Sequence, residues 1–151
     1  MPLRLTLASP ADLDSIVFLM RQMQAVDPWS EPFIENTVRS NLQELLTNSA
    51  YGLVYLARVA GCPVAYLVLC FDYSLEYRGK GAWIDELYVA DSHCGQGIGS
   101  RLLDLAERAC LEHKAHFLHL EVSHGNPAIE LYRRRGFLDH QRYLMTKRLA
   151  P

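Results

Sequence analysis

The chain has 151 residues, half of them hydrophobic and 21% charged, which is enough apolar material for one domain, 1–151, with a real core. Fifteen basic residues against seventeen acidic ones leave a formal charge of −2 with a pI near 6.3, so the electrostatic case for a nucleic-acid binder is missing. Cys62, Cys70, Cys94 and Cys110 form no C-x-x-C pair, the N-terminus lacks the layout of a secretion signal, and no apolar run approaches the roughly 20 residues that span a bilayer. The expectation is a soluble, cytoplasmic protein with no membrane partner.

Residues 3–7 alternate apolar and polar as a short strand does. Ser9-Pro10-Ala11-Asp12 supplies an N-cap, a proline at the first helical position and an acid at the third, predicting a helix over 10–25. Asp27-Pro28-Trp29-Ser30 interrupts it, and Phe33, Val38, Leu42, Leu45 and Leu46 recur at nearly helical spacing in a second helix. Residues 52–59 and 63–72, rich in Val, Leu, Tyr and Ala, read as hairpin strands joined at Ala60-Gly61-Cys62. A loop over 73–81 leads to a strand over 83–89. Ile98, Leu102, Leu105, Ala106, Ala109 and Cys110 mark one face of the next helix. A strand over 116–122, a short helix over 126–135 and one or two closing strands over 137–149, broken at Asp139-His140-Gln141, complete the order.

The most informative stretch joins the fourth strand to the third helix. Gly95, Gly97 and Gly99 lack Cβ atoms where the main chain turns, and the unpaired N–H groups and dipole of the helix that follows attract negative charge. A pyrophosphate-bearing ligand is implied. A dinucleotide fold would want G-x-G-x-x-G, but the third position is Ser100 and about fifty residues remain, too few for a doubly wound domain. No string matches a G-x-x-x-x-G-K-[ST] phosphate loop.

Cys94-Gly-Gln-Gly97-Ile-Gly99 resembles the coenzyme A signature [Arg/Gln]-x-x-Gly-x-[Gly/Ala] of the GCN5-related N-acetyltransferases. Asn126-Pro-Ala128-Ile-Glu-Leu-Tyr132-Arg-Arg-Arg-Gly136-Phe137 resembles the same family's Asn-x-x-Ala-x-x-Leu-Tyr-x-x-x-Gly-Phe, and Trp83-Ile-Asp-Glu-Leu-Tyr-Val89 its central strand. Local matches around Asp85-Glu86-Leu87-Tyr88-Val89 also resemble the spermidine/spermine acetyltransferase branch. Three departures stand out: Cys94 takes the place of the Arg or Gln, Asp91 that of a proline two residues after Val89, and Asn126 falls one residue late.

The resemblance implies an α/β (α+β) fold, with a central mixed, mostly antiparallel sheet of six to seven strands, a splayed parallel pair at the coenzyme site and about four helices. It implies an acetyl-CoA-dependent N-acetyltransferase working by direct attack of an amine on the thioester, with no metal. The pantetheine and thioester would meet the main chain of Leu87, Tyr88 and Val89. The pyrophosphate would meet amides of Gly95, Gln96, Gly97, Ile98, Gly99 and Ser100, with Asn126 and Tyr132 also at the coenzyme. Tyr132 takes the place of the thiolate-protonating tyrosine, and Asp85 or Glu86 that of a carboxylate assisting the amine. Alternation puts these two acids on opposite faces, and a bulge would exchange them. A small-molecule amine or a peptide or protein lysine is the expected acceptor, and a homodimer the family's expectation. A non-catalytic acyl-CoA-binding or sensing module of the same fold is the alternative. His113, His116 and His119 recur every three residues but span a helix end and a strand start, which does not place them on one face for a metal.

Overall fold

The computed structural model describes residues 2–149. It packs as two compact units, Met1–Glu121 and Val122–Pro151. The first holds a five-stranded sheet in simple sequential order, with β1 (Leu3–Leu7), β2 (Gly52–Val59), β3 (Cys62–Ser74) and β4 (Gly79–Val89) antiparallel and β5 (Leu118–Leu120) parallel to β4. Helices α1 (Leu13–Val26), α2 (Glu35–Thr47) and α3 (Ile98–Glu112) belong to this unit, and α4 (Ala128–Arg134) to the second.

Strand alternation sorts the core into two faces. Tyr66, Val68 and Tyr88 join Val54 and Leu56 in a cluster with Ile16, Val17, Leu19, Met20 and Met23 of α1 and Val38 and Leu42 of α2. The intervening Leu67 and Leu69 point the other way, toward the side of α3, which contacts β2, β3 and β4 and buries Leu102, Leu103 and Ala106. Burying a Leu, Ile or Val side chain contributes about 1.5–3 kcal/mol, so both layers outweigh any surface ion pair in holding the sheet.

Most expected elements appear, with shifted ends. The capping box forms, Asp12 accepting from the Ser9 N–H at 2.8 Å, but residues 10–12 make a 3-10 turn before α1 begins. The hairpin after β2 is tight, with Ala60 and Gly61 at positive φ. The expected 73–81 loop is instead mostly strand: β3 extends to Ser74 and β4 begins at Gly79. Gly79, Gly81 and Ala82 are all buried there, so the start of β4 carries no apolar–polar alternation that would mark it as a strand.

The sheet has five strands among the described residues, not six or seven. Residues 137–149 form no strand. The Asp139 carboxylate accepts the Gln141 N–H at 2.8 Å, and Gln141 sits at φ 51°, so a side-chain turn interrupts extension where the polar break lies. The apolar residues beyond it, among them Tyr143, Met145 and Leu149, are exposed; propensity makes a strand only where a partner edge satisfies the backbone.

Candidate active site

β4 and β5 pair over only three positions, from Ala82 opposite Leu118 to Ile84 opposite Leu120. Residues 85–89 run on without β5 beside them, and 86–89 are still paired on the other side to β3. Main-chain groups of Leu87, Tyr88 and Val89 on the β5 side are thus left to other partners, the splay expected for an extended amide-bearing ligand.

A bulge sits where the strands part. Ile84 faces Leu69 and Glu86 faces Val68, so Asp85 is the extra residue. The bulge brings Glu86 onto the α1/α2 face with Tyr66, Val68 and Tyr88 and leaves Asp85 exposed. Protein packed around Asp85 nonetheless raises its carboxyl above the ordinary value. The two acids do separate.

Glu86 is buried at 9% exposure. Its Oε1 accepts the Trp29 indole N–H at 2.5 Å and its Oε2 the Tyr66 hydroxyl at 3.0 Å. Burial pushes its carboxyl up to about 7, reinforced by the nearby Asp85 charge, while the two hydrogen bonds pull the other way. A carboxylate poised near neutrality is suited to exchanging a proton at physiological pH. Tyr66 is fully buried and its hydroxyl is held firmly protonated by burial and by Glu86, so toward this carboxylate it is a donor. Tyr88 donates to Gln22 Oε1 at 3.4 Å, and Met23 Sδ lies 3.3 Å from the Tyr66 hydroxyl.

Past Val89 a 3-10 turn over Asp91–His93 leads into the glycine segment. Gly95 and Gly97 take φ of +73° and +75°, a region costly for other residues, with open space where a Cβ would stand. Gly97 is the N-cap of α3, no side-chain hydrogen bond caps this end, and its first turn holds no acid. The first N–H groups, on Ile98, Gly99 and Ser100, keep their capacity for an anion. Gly99 already lies within α3, so it serves the helix rather than the turn. Gln96 turns away, its amide donating to Ser92 O at 3.2 Å. Cys94 also turns away, its Sγ lying 3.5 Å from Val89 O. The cradle is one of backbone.

In the second unit, α4 carries Tyr132, 9% exposed, with its ring edge-on to Phe137 at 5.8 Å. The Phe137 N–H closes onto Tyr132 O at 3.0 Å around Gly136, whose φ of +89° ends the helix. Asn126 Oδ1 accepts the Ala128 N–H at 2.9 Å and so caps α4. The histidines part company: His113 stacks on Phe71 at 4.9 Å, and His119 packs against Tyr77 and Trp83.

Sequence reasoning missed Trp29 and the role of Tyr66. Tyr66 reads as packing until the register sets it beside Glu86. Trp29 marks a helix break 57 residues from its partner, and no local spacing carries that contact.

Known proteins resemble this chain in sequence and in fold. The chain is 32% identical over 79 residues to the thialysine N-epsilon-acetyltransferase of Bos taurus, covering 52% of this chain and 46% of that protein. The match thus spans about half the length of the curated relative. Among solved structures, an integron cassette protein from the mobile metagenome of Cole Harbour Salt Marsh superimposes with a TM-score of 0.84 at 24% identity, over 97% of this chain and 91% of the other. A predicted acetyltransferase of Clostridium acetobutylicum, solved with acetyl-CoA, gives a TM-score of 0.80 at 22% identity, over 97% and 96%. The model of the acetyltransferase (GNAT) family matches residues 18–137, and with the splayed strands and the glycine turn into α3 in place, this chain belongs to that family.

Proposed function

We propose that the chain, 1–151, is a single acetyl-CoA-dependent N-acetyltransferase domain in which a primary amine attacks the thioester directly. The carrying observation is the ionisable Glu86, buried two residues beyond the last β4–β5 pair, on the strand that runs into the uncapped start of α3. The backbone amides of residues 95–100 suit the pyrophosphate, and residues 87–89 the pantetheine amides and thioester carbonyl. When bound, the coenzyme supplies the activated acetyl group.

An acceptor amine arrives as an ammonium, with a pKa near 10 if it resembles lysine. Glu86, at about 7, is some three units too weak to strip it outright. It orients the ammonium and takes the proton as the new bond forms, directly or through a water. Attack of the neutral nitrogen on the carbonyl carbon gives a tetrahedral centre whose oxyanion the main chain of β4 is placed to stabilise. Collapse breaks the carbon–sulfur bond, and the leaving thiolate takes a proton, a role that the family resemblance gives to the Tyr132 phenol. Asp85, exposed in the bulge, is assigned to the cleft mouth, where it attracts the incoming cation. The curated relative is named for thialysine, and we extend to this chain a primary amine on a short flexible stem.

The second reading, an acyl-CoA-binding module without turnover, draws on Cys94 and Gln96 facing away from the cradle and on Asn126 being engaged as a cap. Tyr132→Phe separates the two. The enzyme reading predicts turnover falling by about 10²-fold or more with acetyl-CoA affinity unchanged, as read by thiol release and calorimetry. A wild-type chain that binds acetyl-CoA and acetylates no primary amine in a broad panel is a binding module.

A further inference from the structure

Among the described residues, the hydrogen bond that Glu86 accepts from outside β3 and β4 comes from Trp29. Trp29 lies in the connection of residues 27–34 between α1 and α2, where Asp27, Pro28, Ser30, Glu31 and Pro32 are all exposed. Its own backbone N–H donates to Gln24 Oε1 at 3.0 Å, and its ring lies 5.3 Å from that of Phe33. These contacts hold the indole so that its N–H meets Glu86 Oε1. The other groups that act on the carboxylate are Tyr66 on β3 and Asp85 on β4; Met23 of α1 lies against the Tyr66 hydroxyl, and Gln22 of α1 accepts from Tyr88. None of these is a cation, so among the described residues it is two neutral donors, without a counter-charge, that offset the cost of burying this carboxylate.

That choice of donor has a chemical consequence. A lysine or arginine at this place would lower the carboxyl's affinity for a proton and blunt it as an acceptor. With no donor at all, burial would keep it protonated at neutral pH. A single indole N–H lies between these extremes, and it also fixes the direction of the remaining lone pairs.

We propose that Trp29 is the positioning residue of this site: its indole N–H aims one carboxylate oxygen of Glu86 and, with Tyr66 on the other, holds the group in its proton-accepting form for the incoming amine. This rests on Glu86 being the proton acceptor proposed above. The connection between α1 and α2 is then a working part of the site, since a shift of Trp29 disarms Glu86.

The test is carboxyl ¹³C NMR of Glu86 in the full chain, with no acceptor needed. Trp29→Phe keeps a ring beside Phe33 and deletes the donor. A hydrogen bond to a charged group is strong enough that its loss raises the Glu86 midpoint by about one pH unit or more. Trp83→Phe, which deletes an indole N–H bonded to Asp72 at 3.1 Å, leaves the midpoint where it is. In that Trp83→Phe chain the remaining indole is Trp29's, since there are two tryptophans, and its N–H resonance shifts with the same midpoint as the carboxyl. That measurement stands even if Trp29→Phe folds poorly. An unmoved Glu86 midpoint in Trp29→Phe, or a Trp29 N–H blind to the Glu86 titration, overturns the proposal. A Glu86→Gln chain with full turnover sinks the acceptor role instead, which makes the two failures distinguishable.

Discussion

Burial raises the proton affinity of Glu86, and two hydrogen bonds lower it by less, so the folded chain holds this proton more tightly than the unfolded one does. A group raised in the folded state contributes stability below its unfolded value, and that contribution is lost as pH rises through the folded value. The rise from 4.5 to about 7 corresponds to about 3 kcal/mol at 1.36 kcal/mol per unit, surrendered between about pH 4 and pH 8. Glu86→Gln, neutral at every pH, abolishes this slope. Urea denaturation at several pH values is expected to show the variant gaining on wild type by about 3 kcal/mol from pH 4 to pH 8, while amine acetylation falls by about 10²- to 10⁴-fold. A variant that loses stability relative to wild type over that range contradicts the burial argument. The sequence offered Asp85 and Glu86 together; only the bulge, a register property of β3 and β4, tells which of them is buried. Trp29 was hidden for a different reason, because a contact across 57 residues depends on where α1 and α2 lie over the sheet.

At the scale of elements, the strand-turn-helix from β4 to α3 is the part most plainly written in the chain. Gly95 and Gly97 lie where positive φ is required, and α3 begins at Ile98 as its apolar spacing predicts. Gly97→Ala meets no clash, since nothing lies within 4 Å of the added methyl. Its cost is backbone conformation alone, about 1 kcal/mol of stability. The coenzyme loses more, because a shifted N-cap re-aims the first N–H groups of α3. Calorimetry is expected to show acetyl-CoA affinity reduced about tenfold or more with Tm only slightly lower, at about 1.4 kcal/mol per decade of affinity. Equal affinity in the variant argues against a backbone cradle. The ends of β3 and β4 were less legible, because residues 73–82 carry glycine and mixed polarity where alternation gives no signal. The segment 137–149 shows the opposite error: its strand-like composition is real, but a side-chain turn at Asp139 and exposed apolar residues leave it without a ladder.

For the whole molecule, the family match over residues 18–137 takes in residues of both compact units. The family was readable because its two motifs lie in the right order and separation in this chain, although overall identity to structural relatives such as the integron cassette protein is only 24%. The acceptor was not readable, since the groups beside Glu86 are scattered over β3, α1 and a connecting loop. Turnover with Glu86 as the proton acceptor is tested by coenzyme A thiol release from acetyl-CoA against a panel of primary amines that includes thialysine, across about pH 5–9. The expected result is amine-dependent release whose kcat/KM rises through a midpoint of about 7, with that limb missing in Glu86→Gln. Release that no amine stimulates, or an unchanged limb in Glu86→Gln, contradicts it.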